Sequence, residues 1–352
     1  MPSDSKYGQF RNLVFEGGGV KGIAYAGAIQ ALEEAGILPN ILRVAGTSAG
    51  AITAVLLSLG AGSKDVAAIV GGTDFHQFMD AGFPLSAPLR LVRDYGWYKG
   101  DAFADWIKAI IKRYAKDGGL TFAGLRKLRA QGGNSFRELY MVGTDLCTQQ
   151  PLVFSAEDTP DVPIWSATRT SMSIPLFFQA VRVGKDVRVD GGVSWNYPLD
   201  LFDDKKYLDD KRAGVKPDYP TVYDADQVYN KETLGFRVDT SDEIAAEKAS
   251  WKLPPADINN VADYIKALVG FMTDIANKAH LHENDWHRTV FIDAAGVSAT
   301  DFGLSQAEVR TLVANGLKGA RDYLAWFADP KPAVKPRNLK SPAEPKARGR
   351  VS

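Results

Sequence analysis

Two short apolar runs, Asn12 to Phe15 and Ile41 to Ala45, each lead into a glycine-rich turn and then into a stretch of small and apolar residues at helical spacing. A chain that repeats strand, tight turn and helix in this way is committed to an α/β sheet. The first turn is Gly17-Gly18-Gly19, and its helix covers Lys21 to Ala35 with Gly36 as the stop. Ala24, Ala26, Gly27 and Ala28 suit that helix to close packing on a sheet. The second turn is Gly46 to Gly50, and the helix after it is wholly apolar.

From Gly60 to Gly133 the pattern is mostly helical, clearest over Asp101 to Tyr114, and reads as a lid-like helical insertion over one end of the sheet. The β pattern resumes at Glu138 to Thr144, Pro151 to Ser155, Gln179 to Val183 and Val187 to Val189, with a helical stretch near Val162 to Met172. Leu201 to Glu232 is polar and unperiodic, which predicts a long loop. A strand at Leu234 to Val238, a helix around Ile258 to Lys278, a strand at Thr289 to Ile292 and a helix from Ser305 to Ala325 complete the body. The expected division is an N-terminal extension over 1–11, one domain over 12–329 and a disordered tail over 330–352.

Composition narrows the function. The 352 residues carry 42 basic and 42 acidic side chains, so the bulk field offers nothing to nucleic acid. The neutrality hides an asymmetry, because Pro330 to Ser352 is Pro-rich with net charge +6 and the body is correspondingly acidic. Such a tail reads either as a peripheral contact with an anionic membrane, at roughly 1 kcal/mol per basic residue near the surface, or as a disordered, solvated extension with no role. The opening residues lack a signal-peptide pattern, and the longest apolar stretch, Ala49 to Leu59, falls short of the roughly 20 residues that span a bilayer. With Cys147 as the single cysteine, a cytoplasmic location is expected.

Gly46-Thr47-Ser48-Ala49-Gly50 has the context of a nucleophile elbow: Ser48 on a sharp strand-to-helix turn, with glycines where a Cβ would clash. The helix N-terminus then favours negative charge near the hydroxyl, and Ala49 N–H is a natural oxyanion donor. The same five residues also fit a plain βα turn whose serine caps the helix. Gly17-Gly18-Gly19-Val20-Lys21-Gly22 satisfies a dinucleotide fingerprint, but the second strand ends in Arg43-Val44-Ala45-Gly46 without the acid that would bind a ribose. The alternative is a nest of backbone amides that binds an anion beside Ser48, with Lys21 adding positive charge. His76, His280, His282 and His287 have no turn to present them and read as surface or helix-end residues. The better base is Asp190, delivered by a strand and followed by Gly191 and Gly192, which leave room for close approach.

Phe15 to Gly22, Gly46 to Gly50 and Asp190-Gly191-Gly192 resemble, in order, the three signature motifs of the patatin-like phospholipase family. Ser171 to Phe178 also resembles the stretch before the family's Asp strand, and Phe291 to Leu324 its closing strand and helix. The resemblance implies a three-layer α/β/α sandwich around a mostly parallel sheet. It further implies a lipid acyl hydrolase that acts on a membrane lipid or lysolipid and needs no metal or cofactor. In that scheme Ser48 is the nucleophile, Asp190 the proton acceptor, and the loop Gly17, Gly18, Gly19, Val20, Lys21, Gly22 with Ala49 the oxyanion hole. A carboxylate with an ordinary pKa of about 3.9 is a weak base, which puts much of the expected acceleration on the oxyanion site. The apolar segment Phe75 to Trp106, including Phe78, Phe83, Trp97 and Phe103, is the candidate lid or wall of an acyl channel, although ordinary core packing accounts for such a stripe as well. The rival is a silent lipid- or protein-binding module on the same fold.

Overall fold

The computed structural model describes residues 7–80, 86–132, 135–208, 228–239, 258–280 and 283–329. The basic tail, most of the 201–232 loop, and Phe83 and His282 lie outside the described residues, as do the side chains of Leu89 and His280.

Among the described residues eight strands form the main sheet. In chain order they are β1 (Asn12–Phe15), β2 (Arg43–Thr47), β4 (Glu138–Asp145), β5 (Gln150–Phe154), β7 (Val181–Val183), β8 (Asp186–Asp190), β9 (Thr233–Asp239) and β10 (Thr289–Asp293). Their spatial order is β10-β9-β1-β2-β4-β8-β7, with β5 paired to β4 as a hairpin. The run from β10 to β4 is parallel, while β8 is antiparallel to both β4 and β7. A separate parallel pair joins β3 (Gly96–Tyr98) to β6 (Leu176–Phe178).

The helices among the described residues are α1 (Tyr25–Glu34), α2 (Ala49–Ser58), α3 (Ser63–Gly71), α4 (Ser86–Asp94), α5 (Asp101–Ala115), α6 (Phe122–Ala130), α7 (Ile164–Ser171), α8 (Val261–His280) and α9 (Gln306–Ala328). A Ser305–Glu308 capping box starts α9, the serine accepting from Glu308 N–H while the glutamate accepts from Ser305 N–H.

Alternation along the strands loads both faces of the sheet, as a parallel sheet requires. Leu13, Phe15, Val44 and Met141 belong to the large core shared with α1, α2, α5, α7 and α9. Val14, Ala45 and Tyr140 face the other way, against Tyr197, Leu199, Phe202 and Tyr207. The predicted 201–232 loop therefore begins as packed structure: two 3-10 turns, Leu199–Phe202 and Lys205–Tyr207, bury apolar rings on the second face. The helical insertion is continuous with the main core through Val66, Phe103, Ile107, Ile111 and Leu125.

The second strand lies two residues later than its apolar run. Leu38–Asn40 forms a 3-10 turn, Ile41 is buried ahead of the ladder, and the strand continues through Gly46 into Thr47. Similarly, the first helix opens with a 3-10 turn over Gly19–Ala24 before α1 begins. No helix among the described residues is long and apolar enough to cross a membrane.

Candidate active site

β2 ends at Thr47 and the chain turns directly into α2 through Ser48. Ser48 stands at φ 52 and ψ −124, a backbone state that costs a residue with a side chain about 1–3 kcal/mol. The turn closes because a Cβ on Gly46 would strike the Gly50 carbonyl, and one on Gly50 the carbonyls of Phe15 and Glu16. Ser171 holds the strained residue: its Oγ accepts Ser48 N–H at 2.9 Å and donates to the Val142 carbonyl at 2.6 Å. The Ser48 hydroxyl makes no capping bond to α2. A purely capping serine would make one, so the hydroxyl is held in a strained place without that local benefit.

β8 places Asp190 opposite Gly143 of β4, with only 4% of the residue exposed. Oδ1 accepts Gly192 N–H at 2.7 Å, while Oδ2 is buried without a hydrogen-bond partner among the described residues. Burial pushes the Asp190 pKa up to about 7, against the opposing pull of the Gly192 amide and the Ser48 hydroxyl, which both favour the charged form. The hydroxyl thus lies near enough to bias the carboxylate without completing a hydrogen bond to it, and its Oγ lies 3.5 Å from Met172 Sδ. Catalytic hydrogen bonds are often long until substrate binds. A carboxylate with a pKa near neutrality is also a far better base than the sequence alone suggests.

The glycine loop lies directly beside the elbow: a Cβ on Gly17 would come within 3.1 Å of Ser48 Cβ, and one on Gly22 within 3.0 Å of Ala49 Cβ. Its amides are not equivalent. Gly17 N–H donates to the Asn196 carbonyl at 3.1 Å, Val20 N–H to Ala299 at 3.0 Å and Lys21 N–H to Gly18 at 3.2 Å. Among the described residues no acceptor pairs with the N–H of Gly18, Gly19 or Ala49. The Lys21 side chain lies along Gly18, and its charge acts on buried Glu16.

An apolar crevice opens from this corner, lined by Ala49, Phe75, Phe78, Met172, Phe177 and Phe302 among others. Its free volume is about 20 Å³, room for about one water. Phe177 lines it with its ring 5.2 Å from Phe302 and 4.7 Å from Tyr98, centroid to centroid. Of the aromatic segment singled out in the sequence, Phe78 lines the crevice and Phe103 supports it at 5.3 Å, whereas Trp97 is 38% exposed. The opposite wall, Phe177 and Phe302, is brought from two distant parts of the chain, and no spacing announces it.

No hydrogen bond joins His76 or His287 to Ser48 or Asp190 among the described residues. His76 pairs with Asp74 at 3.1 Å on the surface, and His287 lies half-buried beside Trp326. Sequence reasoning also passed over Glu16, which is 3% exposed. Its Oε1 lies 3.4 Å from Arg237 Nε and accepts from Asn196 and Asn277. Burial raises its pKa, with Arg237 opposing.

Residues 13–203 match the family model described as Patatin-like phospholipase. YqhO, an uncharacterized protein of Bacillus subtilis, is 29% identical over 328 residues, covering 88% of this chain and 97% of its own. A probable lipid hydrolase of Invertebrate iridescent virus 6 is 21% identical over 192 residues, 54% of this chain and 63% of that protein. Among solved structures, VipD from Legionella pneumophila is similar in fold, with a TM-score of 0.55 at 18% identity over 90% of this chain and 67% of that one.

Proposed function

This chain belongs to the patatin-like phospholipase family, and on that premise we propose that it is a lipid acyl hydrolase of phospholipase A or lysophospholipase type, acting through Ser48 and Asp190. The observation that carries the reading is the buried, unpartnered Oδ2 of Asp190 beside the strained, uncapped Ser48. In the proposed cycle the ionised Asp190 takes the Ser48 proton as Oγ attacks the ester carbonyl. The oxyanion that forms is held by the amides of Gly18, Gly19 and Ala49, at the N-terminus of α2. Asp190 then gives its proton to the departing alcohol, leaving an acyl-Ser48. Water enters, loses a proton to Asp190 and attacks the acyl carbon; the proton returns to Ser48 as the fatty acid leaves.

Mass-spectrometric assay of fatty acid released from phospholipid, lysophospholipid and triacylglycerol vesicles tests this function. Release from at least one class, absent in Ser48→Ala, is the expected result. A folded wild type that binds the vesicles and releases nothing would favour the silent binding module.

The crevice is the proposed acyl site, and it must widen before a chain can enter. Phe177→Ala removes one of its lining rings and is expected to shift preference toward longer acyl chains in a nitrophenyl ester series. An unchanged chain-length profile would place the acyl group elsewhere. The proposed role of residues 330–352 at an anionic surface is read by vesicle co-sedimentation of a chain lacking them. Loss of binding to anionic vesicles is expected, and unaltered binding contradicts the role.

A further inference from the structure

Between Asp190 and Tyr197 the chain touches all three motifs of the site. Ser194 and Trp195 N–H both return to the Gly191 carbonyl, at 3.1 and 2.8 Å, which closes the turn after Asp190. The Trp195 carbonyl accepts the Thr47 hydroxyl at 3.1 Å, one residue before Ser48. Asn196, 3% exposed, grips Gly17 twice. Its carbonyl accepts Gly17 N–H at 3.1 Å and its Nδ2 donates to the Gly17 carbonyl at 3.1 Å. The same Nδ2 lies 3.2 Å from Glu16 Oε1, which also accepts Asn277 Nδ2 at 2.8 Å. Asn196 Oδ1 lies so close to Gly17 and Gly192 that a Cβ on either would crowd it.

Gly17 C=O and Gly18 N–H belong to one planar peptide unit and point in opposite directions when it is trans, and the chain has no cis peptide bond among its described residues. A side chain that holds the Gly17 carbonyl therefore sets the direction of the Gly18 amide. Gly18 itself has no side chain, and among the described residues its amide has no bonded acceptor, with which to hold that plane.

We infer that Asn196 is a positioning residue: it fixes the direction of the open Gly18 amide relative to Ser48 and Asp190, by joining the glycine loop to the Asp190 turn. Glu16, with Asn277, holds the Asn196 amide in the orientation that donates to Gly17. The inference rests on the Ser48–Asp190 esterase reading and deepens it. Its signature is a loss in kcat with little change in KM, because ground-state binding in the apolar crevice does not use the Gly18 amide.

The test compares wild type, Asn196→Ala and Asn196→Asp on a soluble nitrophenyl ester across pH, with sites counted by the end-point fluorophosphonate adduct. Both variants are expected to lose about 10²-fold in kcat per site at pH 8, with KM within a few-fold of wild type. Asn196→Asp is nearly isosteric and preserves a folded comparison. Its carboxylate repels the Gly17 carbonyl and Glu16 when ionised but donates when protonated, so its activity is expected to recover toward acid and give a bell where the wild type has a plateau. A kcat per site within threefold of wild type in both variants, with only a lower Tm, would overturn the inference. An inert wild type would overturn the esterase reading and this inference with it, whereas an active wild type beside unimpaired variants would overturn the inference alone.

Discussion

Ser48→Ala is expected to abolish ester hydrolysis, lowering kcat/KM by roughly 10⁴- to 10⁶-fold, the scale seen when a serine nucleophile is removed. The fold has little reason to change: the Ser48 hydroxyl makes no helix-capping bond, and the backbone bond from Ser48 N–H to Ser171 Oγ does not involve the side chain. Thermal unfolding close to that of wild type is therefore expected beside the lost activity. The comparison is made at matched concentration by ester turnover and melting temperature. Activity within tenfold of wild type would remove Ser48 from the chemistry.

Asp190 gives the second large effect, and it acts on rate and stability in opposite directions. Only the ionised carboxylate accepts a proton, so wild-type kcat/KM is expected to rise with pH and level off above an apparent pKa near the value of about 7 set by burial. Asp190→Asn is expected to lower turnover by roughly 10²- to 10⁴-fold and to flatten that rise. For stability, the native pKa lies above its ordinary value of 3.8, so the native state keeps a proton that the unfolded chain has released. The stabilising contribution of protonated Asp190 is full below about pH 3.8 and is lost as pH rises through about 7. Asn keeps an acceptor for Gly192 N–H and never ionises, so the variant is expected to outlast wild type at pH 8, by up to about 4 kcal/mol, with the gap closing in acid. A denaturant titration at pH 8 and pH 4 reads this directly. Equal stabilities at both, together with a pH-independent wild-type rate, would show that burial does not perturb Asp190.

The parts of this site that could be read from the sequence are those whose geometry is local. A strand, a glycine turn and an apolar helix occupy contiguous residues, so the positions of Ser48, Gly17 to Gly22 and Asp190 on their elements follow from spacing alone. Bonding within the glycine loop did not follow. Six residues were expected to serve together, but the Gly17, Val20 and Lys21 amides are already bonded, two of them to Asn196 and Ala299 far along the chain. The short strands Gly96–Tyr98 and Leu176–Phe178 were invisible because a three-residue run carries no period. Leu201 to Tyr207 looked like loop because its two buried rings, Phe202 and Tyr207, sit among charged residues: Lys205 and Lys206 are exposed, whereas Asp203 is itself buried against Arg288. Glu16, Arg237, Asn196 and Asn277 meet only through the sheet. Each alone is an ordinary polar residue, and their shared burial gives them a common role.

An activated Ser48 served by a buried carboxylate shows itself in the rate of fluorophosphonate labelling, followed by intact mass between pH 5 and pH 9. One adduct is expected, mapped to Ser48, whose rate climbs through pH 7 in wild type, is slow and pH-insensitive in Asp190→Asn and is absent in Ser48→Ala. Labelling at another residue, or a Ser48 adduct that forms equally fast in Asp190→Asn, would contradict that activation.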